Sequence, residues 1–211
     1  MRNLHQNINT IVIVGAWNIA IFTPEWIKNN VLRDDDFPEF KIEYPLNVLQ
    51  SLRYTTSDFA FCIADNKLLF SLLTDSTKAE KELISVINAI CQKLPHTPVS
   101  ALGINFCFET DKEIEAIKGL SDTIELVKAL GNIQQSINVI RSFKKNEVET
   151  LNFKIVKNET NKPIYDFNYN YKVSKIEQIT DIINDDENII GIKKKDAQSL
   201  LKAVYNESEG M

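Results

Sequence analysis

Histidine, glycine and cysteine are all scarce in this chain of 211 residues, and each scarcity removes a class of function. With only His5 and His96 present, a histidine-based nucleophilic triad or zinc site has few available members. The six glycines are isolated, and the apolar run before Gly15 leads into neither a GxGxxG nor a GxxxxGK(S/T) pattern. The sequence therefore indicates no catalytic, cofactor-binding or metal-binding motif, and it favours a noncatalytic protein over an enzyme.

The three cysteines, Cys62, Cys91 and Cys107, lie far apart inside apolar runs and form no CxxC pair. This placement is typical of buried thiols in a reducing compartment, so we predict a cytoplasmic protein without disulfides. Cys91 and His96 are five residues apart, which does not bring two side chains to one helical face. We interpret them as a core cysteine and a loop histidine.

Long hydrophobic runs are also missing, and the longest, Ile11–Phe22, is about half of the roughly 20 residues that a membrane-spanning helix needs. Asn18 interrupts this run, and Thr23 and Pro24 follow it with the residue types of a helix N-cap and first turn. The pattern predicts a buried strand that leads into a helix. It favours neither a signal peptide nor contact with a membrane.

What the sequence does contain is an ordinary hydrophobic content of 44% and a net charge of −5, from 29 acidic and 24 basic side chains. The hydrophobic content is sufficient for a buried core in a chain of this length. The acidic balance argues against nonspecific nucleic-acid binding, which requires an excess of Lys and Arg to displace counterions from phosphates.

Strand and helix patterns alternate along the first 131 residues. Thr77 and Glu80 have the spacing of a capping box and predict the start of the longest helix, and Thr110 and Glu113 have the same spacing. The predicted strands lie within Ile11–Phe22, Phe40–Tyr44, Phe59–Ala64, Leu68–Leu73 and Ala101–Glu109, and the predicted helices are Thr23–Leu32, Thr77–Leu94 and a broken segment over Thr110–Leu130.

The C-terminal part is predicted to be a β-meander followed by two helices. Ser136–Phe143 fits a strand or a helix, and we favour a strand because Glu149–Lys157 and Ile164–Val173 are clearly extended. Within Ile164–Val173, aromatic and polar residues alternate strictly, which predicts an inward tyrosine face and an outward polar face. Ser174 is the predicted cap of the next helix, and Asp196–Tyr205 is the last one.

Together these elements predict an α+β fold with mixed or antiparallel sheets, helices packed on one face, and two subdomains, 1–131 and 132–211. The layout, with Pro98–Phe106 and Asp166–Tyr171 as local echoes, resembles a sporadically distributed prokaryotic family of uncharacterised α+β proteins. The resemblance implies a two-part fold and a prokaryotic origin, and it assigns no catalytic residues.

The leading hypothesis is a noncatalytic accessory or regulatory subunit that binds a protein partner or forms a homo-oligomer. The resemblance suggests a prokaryotic defence, mobile-element or toxin–antitoxin setting. The candidate interaction residues combine aromatic types that are enriched at interfaces with exposed polar and basic positions: Trp17, Trp26, Asp166, Asn168, Asn170, Lys172, Lys193, Lys194 and Lys195.

Two alternatives stay open. A carboxylate-based, metal-dependent phosphodiesterase or nuclease would use Asp34–Asp36 or Asp185–Glu187 to hold a cation. A nucleic-acid-binding accessory protein would use the basic residues Lys144, Lys145 and Lys193–Lys195 beside the tyrosine strand. Neither is favoured, because consecutive carboxylates diverge and because buried tyrosines cannot stack on bases.

Overall fold

The computed structural model describes residues 2–3, 8–32, 40–43, 52–64, 66–109, 137–157, 163–185 and 188–209. These residues form one sheet, four α-helices and a short 3-10 helix, and the predicted α+β class is confirmed. The strands are β1 (Arg2–Asn3), β2 (Ile11–Gly15), β3 (Lys41–Glu43), β4 (Arg53–Thr55), β5 (Phe59–Ala64), β6 (Lys67–Leu72), β7 (Val99–Glu109), β8 (Ile137–Lys144), β9 (Glu149–Lys157) and β10 (Pro163–Lys172). The helices are α1 (Pro24–Asn30), α2 (Thr77–Lys93), α3 (Ile176–Asn184) and α4 (Ile189–Glu209), with the 3-10 turn at Ile19–Ile21.

Nine of these strands follow the order β3-β4-β5-β6-β2-β7-β10-β9-β8, and β1 pairs with β7 beside that path. Every pairing among the described strands is antiparallel. β7 lies near the centre, between β2 and β10, as its continuous apolar run predicts. Ser136–Phe143 was ambiguous by pattern, and the strand prediction there is confirmed by β8.

A single row of side chains crosses the sheet on one face, because directly paired residues in an antiparallel sheet point to the same side. From β3 to β8 this row contains Ile42, Tyr54, Phe61, Phe70, Ile11, Ile104, Tyr169, Leu151 and Phe143. All its members from Tyr54 to Leu151 are buried. We call this side the tyrosine face, since Tyr165, Tyr169 and Tyr171 of β10 point into it, and the inward orientation predicted for them is confirmed.

Helix α2 supplies much of the remaining core. The residues predicted for its inner side are spaced three and four apart, and most of them are fully buried: Ala79, Leu83, Val86, Ile87 and Ile90. Helix α4 lies on the tyrosine face, where Lys193 is placed over the rings of Tyr169 and Tyr171. The sheet and these helices thus share one apolar core.

The helix starts partly confirm and partly correct the predictions. Thr23 caps α1 as predicted, because its hydroxyl accepts a hydrogen bond from the Trp26 amide. The capping box Thr77/Glu80 is wrong: the cap of α2 is Ser76, whose hydroxyl accepts from the Ala79 amide. Ser76 is one residue earlier and of an equally suitable type, which leaves Glu80 free to turn inward.

The predicted Ser174 cap of α3 is also wrong, since the cap position is Lys175. The Gln178 side chain satisfies this helix start, because its Oε1 accepts from the backbone amides of both Ser174 and Lys175. A residue inside the first turn thus replaces the cap side chain.

Gly15 sits where the β2–β7 register shifts. A Cβ at this position would lie 2.7 Å from the Pro98 carbonyl oxygen, so only glycine allows this approach of the two backbones. The glycine therefore has a packing role at a bulge, in line with its interpretation as a strand residue.

Several predictions fall outside the described residues: Asp34–Asp36, the helical segment over Thr110–Leu130 and the boundary between the predicted subdomains at residues 131 and 132. β7 and β10, on either side of that boundary, pair over nine residues from Ala101–Lys172 to Glu109–Ile164. Within the described ranges, no helix combines the length and apolarity that crossing a membrane requires.

Candidate interaction surface

The last strand of the sheet, β8, exposes large apolar side chains at an open edge. Its only neighbour in the described part of the chain is β9. Ile140 is 66% exposed and Phe143 is 50% exposed, on opposite faces of the strand. Phe143 is the last member of the row that crosses the tyrosine face. This row therefore ends in β8 with a solvent-exposed side chain. A strand edge without a neighbouring strand in the described part of the chain offers backbone groups for pairing, here together with the exposed Ile140 and Phe143.

Three more exposed apolar residues belong to elements joined to this edge. Val148 follows β8 in the turn to β9, and Ile192 and Leu200 lie one helical turn on either side of Asp196 in α4. The Asp196 carboxylate binds Lys145, the residue directly after β8, at 2.8 Å. We call Ile140, Phe143, Val148, Ile192 and Leu200 the β8 edge surface.

Helix α4 is fixed beside this edge by a largely desolvated ion pair. Lys193 Nζ lies 2.7 Å from Glu149 Oε1, and their side chains are only 15% and 10% exposed. The ammonium also lies 5.2 Å and 5.5 Å from the ring centroids of Tyr169 and Tyr171. Burial alone would lower the pKa of Lys193, but hydrogen bonds to Glu149 and Tyr171 outweigh it and raise that pKa above its ordinary value.

A second polar contact binds α4 to the strands. Asp196 Oδ2 accepts a hydrogen bond from the Tyr169 hydroxyl at 3.0 Å and pairs with Lys145. Burial would raise the pKa of Asp196, but these two partners hold it below its ordinary value. Burial, together with the negative charge of Asp196, raises the pKa of the Tyr169 hydroxyl, so this phenol stays neutral and donates.

The opposite side of the sheet carries a ladder of side-chain amides, and we call it the asparagine face. Ser142 of β8 donates to Asn152 Oδ1 at 2.7 Å, Asn152 Nδ2 donates to Asn168 Oδ1 at 2.9 Å, and Asn168 Nδ2 donates to Asn105 Oδ1 at 2.6 Å. A Cβ on Gly103 would lie 3.0 Å from Asn168 Nδ2, so the glycine leaves room for the ladder. Each link joins directly paired residues of neighbouring strands.

Asn168→Ala is expected to lower the free energy of unfolding by about 1 kcal/mol, because two amide hydrogen bonds are lost and water reaches the half-buried partners. Asn170→Ala is the matched control, since Asn170 lies on the same face of β10 and takes no part in the ladder. Urea unfolding of both variants measures the difference. Equal destabilisation by the two substitutions would contradict a specific role of the ladder.

The two tryptophans predicted for an interaction surface differ in their placement. Trp17 is buried, its indole donates to the Ile13 carbonyl at 3.3 Å, and its ring packs edge-on against Phe22. Its prediction is therefore corrected: Trp17 belongs to the core and offers no surface. Trp26 is half-buried and also packs edge-on against Phe22, so only part of it is accessible.

The predicted polar residues of β10 lie on the asparagine face. Asp166, Asn168 and Asn170 are half-buried, and Lys172 is exposed. The orientation predicted for this face is confirmed, although Asn168 is already engaged in the ladder. These residues do not join the predicted lysines, because Lys193 contacts the tyrosine face.

The predicted lysine cluster Lys193–Lys195 is divided among different partners. Lys193 binds Glu149, and Lys194 is hydrogen-bonded to Asp75, while Lys195 is exposed. Neighbouring lysines on a helix point in different directions, so the run does not form a single basic patch.

Glu80, which the capping-box prediction placed at a helix start, instead forms a buried link between α2 and α4. Its Oε2 accepts from Asn188 Nδ2 at 2.6 Å, and its Oε1 lies 3.9 Å from Lys194 Nζ. Asp75, Glu80 and Lys194 are among the residues that line a small pocket here. The polar groups there bind one another, so this cluster is a structural connection between helices.

The described residues contain no group of three or more His, Cys, Asp or Glu that could hold a metal ion. Asp185 is exposed at the end of α3, and Asp34–Asp36 lies outside the described residues. Burial raises the pKa of Cys91 to about 12, so this thiol stays protonated and unreactive at neutral pH. His96 is exposed in a turn after α2, in line with its interpretation as a loop residue.

The sequence did not indicate Ile140, Phe143 and Glu149 as functional candidates. Glu149 and Lys193 are 44 positions apart, and only the tertiary fold brings them together. The one local signal of an edge strand was the presence of apolar residues on both faces of β8, Ile140 and Phe143, interrupted and followed by Arg141 and Lys144.

No family model matches this sequence, and no curated protein matches it either.

Proposed function

We propose that this chain is a noncatalytic protein-interaction subunit, accessory or regulatory in role, that binds a polypeptide strand along the open edge of β8. The observation that carries the proposal is the solvent exposure of Ile140 and Phe143 on a strand whose outer backbone groups have no neighbouring strand in the described part of the chain. Addition of a partner strand to such an edge satisfies its backbone hydrogen bonds and covers its side chains.

The surroundings of β8 support this proposal. α4 is held beside the strand by the Lys193–Glu149 and Lys145–Asp196 pairs, so the edge is presented on an ordered support. Ile192 and Leu200 are further exposed apolar residues of α4. The charged residues of β8 are limited to Arg141 and Lys144, so the strand is mainly apolar and uncharged polar in composition.

The nucleic-acid alternative has less support. Lys144, Lys145, Lys193 and Lys194 are all bound to carboxylates, so much of the positive charge needed to attract phosphates is neutralised locally. The tyrosine rings are buried and cannot stack on bases. The prokaryotic defence or toxin–antitoxin setting and the cytoplasmic address stay predictions from the sequence.

Two finer features of the fold also belong to this proposal: the packing of the helices on one face of the sheet and the division into two subdomains. The contacts of α4 with Tyr169 and Tyr171 support the packing of the helices on one face of the sheet. The division into subdomains 1–131 and 132–211 stays a prediction.

The substitution Ile140→Lys tests the interaction directly. Ile140 is 66% exposed, so the fold should tolerate lysine, whereas an added strand would not tolerate a charge at this place. In a native extract of cells that express the tagged chain, we expect the wild-type protein to elute as an assembly larger than one chain. Ile140→Lys is expected to elute as the monomer.

Ile19→Lys is the matched control, because Ile19 is also an exposed isoleucine and lies in the 3-10 turn after β2. It should leave the assembly unchanged. A wild-type protein that elutes only as a monomer in the extract would overturn the proposal, and so would an assembly that Ile140→Lys leaves intact.

A further inference from the structure

We infer that the polypeptide added at the β8 edge is the β8 strand of a second copy of this chain, paired antiparallel about a two-fold axis through Ile140. The inference rests on the proposed function and names its partner. A two-fold axis perpendicular to the sheet keeps the tyrosine faces of both copies on one side and makes the two sheets continuous. The register of this pairing depends on which residues of the two β8 strands are complementary to each other.

In the register centred on Ile140, residues whose numbers sum to 280 are opposite each other. Ile140 then faces Ile140 of the second copy on the asparagine face. At this register Ser142, the outer member of the amide ladder, is opposite the position of Asn138 in the second copy, so a polar residue type is opposite a polar one. On the asparagine face, an apolar residue thus meets an apolar one and a polar residue type meets a polar one.

The tyrosine face gives the same result. Phe143, where the buried row ends in solvent, stands opposite the register position of Ile137 of the second copy. The apolar row is thereby extended over the seam, and its exposed end is covered. Arg141 stands opposite Val139 of the second copy, and this is the one mixed pair of the register.

Neighbouring registers are less favourable. Centring the axis on Arg141 places the two guanidinium groups directly opposite each other, which is destabilising. Centring it on Ser142 places Ile140 opposite Lys144 and Phe143 opposite Arg141, so both exposed apolar residues face a charge. The side chains of β8 itself therefore disfavour a shift of the register in this direction.

A cysteine at the two-fold axis tests the register. In an antiparallel pair, directly opposite Cα atoms are about 4.5–5.5 Å apart, which lies within the range that a disulfide spans. Ile140→Cys is therefore expected to form a disulfide-linked dimer in oxidised glutathione, at twice the 24.1 kDa of one chain on a non-reducing gel. A Cys62→Ser background removes the half-buried native thiol.

Ser142→Cys in the same background is the matched control. Ser142 is exposed on the same face of β8, but the two copies of this position would be about 13 Å apart in the proposed register, beyond the reach of a disulfide. We expect at least a tenfold lower yield of linked dimer for this variant. A dimer that Ser142→Cys links as well as Ile140→Cys would overturn the register.

Light scattering of the purified wild-type protein completes the test. A dimer that Ile140→Lys converts to a monomer supports the inference. A purified monomer overturns it, and the extract experiment then separates the two proposals. If the extract still contains a larger assembly that depends on Ile140, a different protein occupies the edge and the proposed function stands. If it does not, both proposals fall.

Discussion

Glu149→Ala is expected to lower the free energy of unfolding by about 3 kcal/mol, because it leaves the Lys193 ammonium desolvated without its counter-ion. The carboxylate provides the closest hydrogen bond of that ammonium, and the tyrosine rings below it do not replace a negative charge. For a chain of this length the melting temperature should fall by about 6–12 °C. Thermal and urea unfolding measure both quantities.

The chain offers a matched control two residues away. Lys144 and Glu147 also form a pair at 2.7 Å, but their side chains are 62% and 91% exposed. Glu147→Ala should therefore cost no more than about 0.5 kcal/mol, because water solvates each charge in its absence. Equal effects of Glu147→Ala and Glu149→Ala would contradict the desolvation of the Lys193–Glu149 pair.

Replacing both members of the Lys193–Glu149 pair distinguishes the effect of an unpaired charge from the effect of lost packing. In Glu149→Leu with Lys193→Met, no charge is left without a partner, so most of the stability lost in Glu149→Ala should return. If the double variant is as unstable as Glu149→Ala, the pair contributes through its specific geometry with Tyr171 rather than through charge balance.

The faces of β10 could be predicted from the sequence because the period of a strand is two. In Ile164–Val173 every second residue is aromatic or apolar, and burial follows that alternation throughout β10. The β5–β6 hairpin and α2 were predictable for the same reason: each has a local pattern that its surroundings reinforce.

Features that depend on distant partners were not predictable. Glu80 has the spacing of a capping residue relative to Thr77, but its partner Asn188 is 108 positions away. Trp17 fits an interface by residue type, yet its indole finds the Ile13 carbonyl inside the core. Residue type and spacing predict local contacts, whereas these long-range contacts depend on the order of the strands in the sheet.

The open edge of β8 is the clearest example. A strand pattern does not reveal whether a strand is central or at an edge, and β8 is last only because β10 pairs with β7 and β9 with β10. The apolar residues on both faces of β8 therefore indicate an exposed edge only once the order of the strands is known.

Phe61 and Phe143 lie in the same row of the sheet. Phe61→Ala is expected to lower mainly the stability of the fold, and Phe143→Ala mainly the affinity between two copies. Phe61 is 1% exposed and stacks between Tyr54 and Phe70, with centroid distances of 5.1 Å and 5.7 Å. Phe61→Ala is expected to lower the free energy of unfolding by about 3–5 kcal/mol, through lost burial and the cavity left behind. The monomeric Ile140→Lys background is the correct one for this measurement, because association would add to the apparent stability.

Phe143→Ala in that background should change the free energy of unfolding by less than about 1 kcal/mol, since half of the ring is already in water. In the otherwise unchanged chain, however, it should weaken the dimer by about tenfold or more, because Phe143 closes the apolar row at the seam. Urea unfolding and light scattering over a dilution series measure the two effects separately. A Phe143→Ala protein with the stability loss of Phe61→Ala would show that the ring serves the fold, whereas unchanged dimerisation would show that the row ends at β8 without a partner.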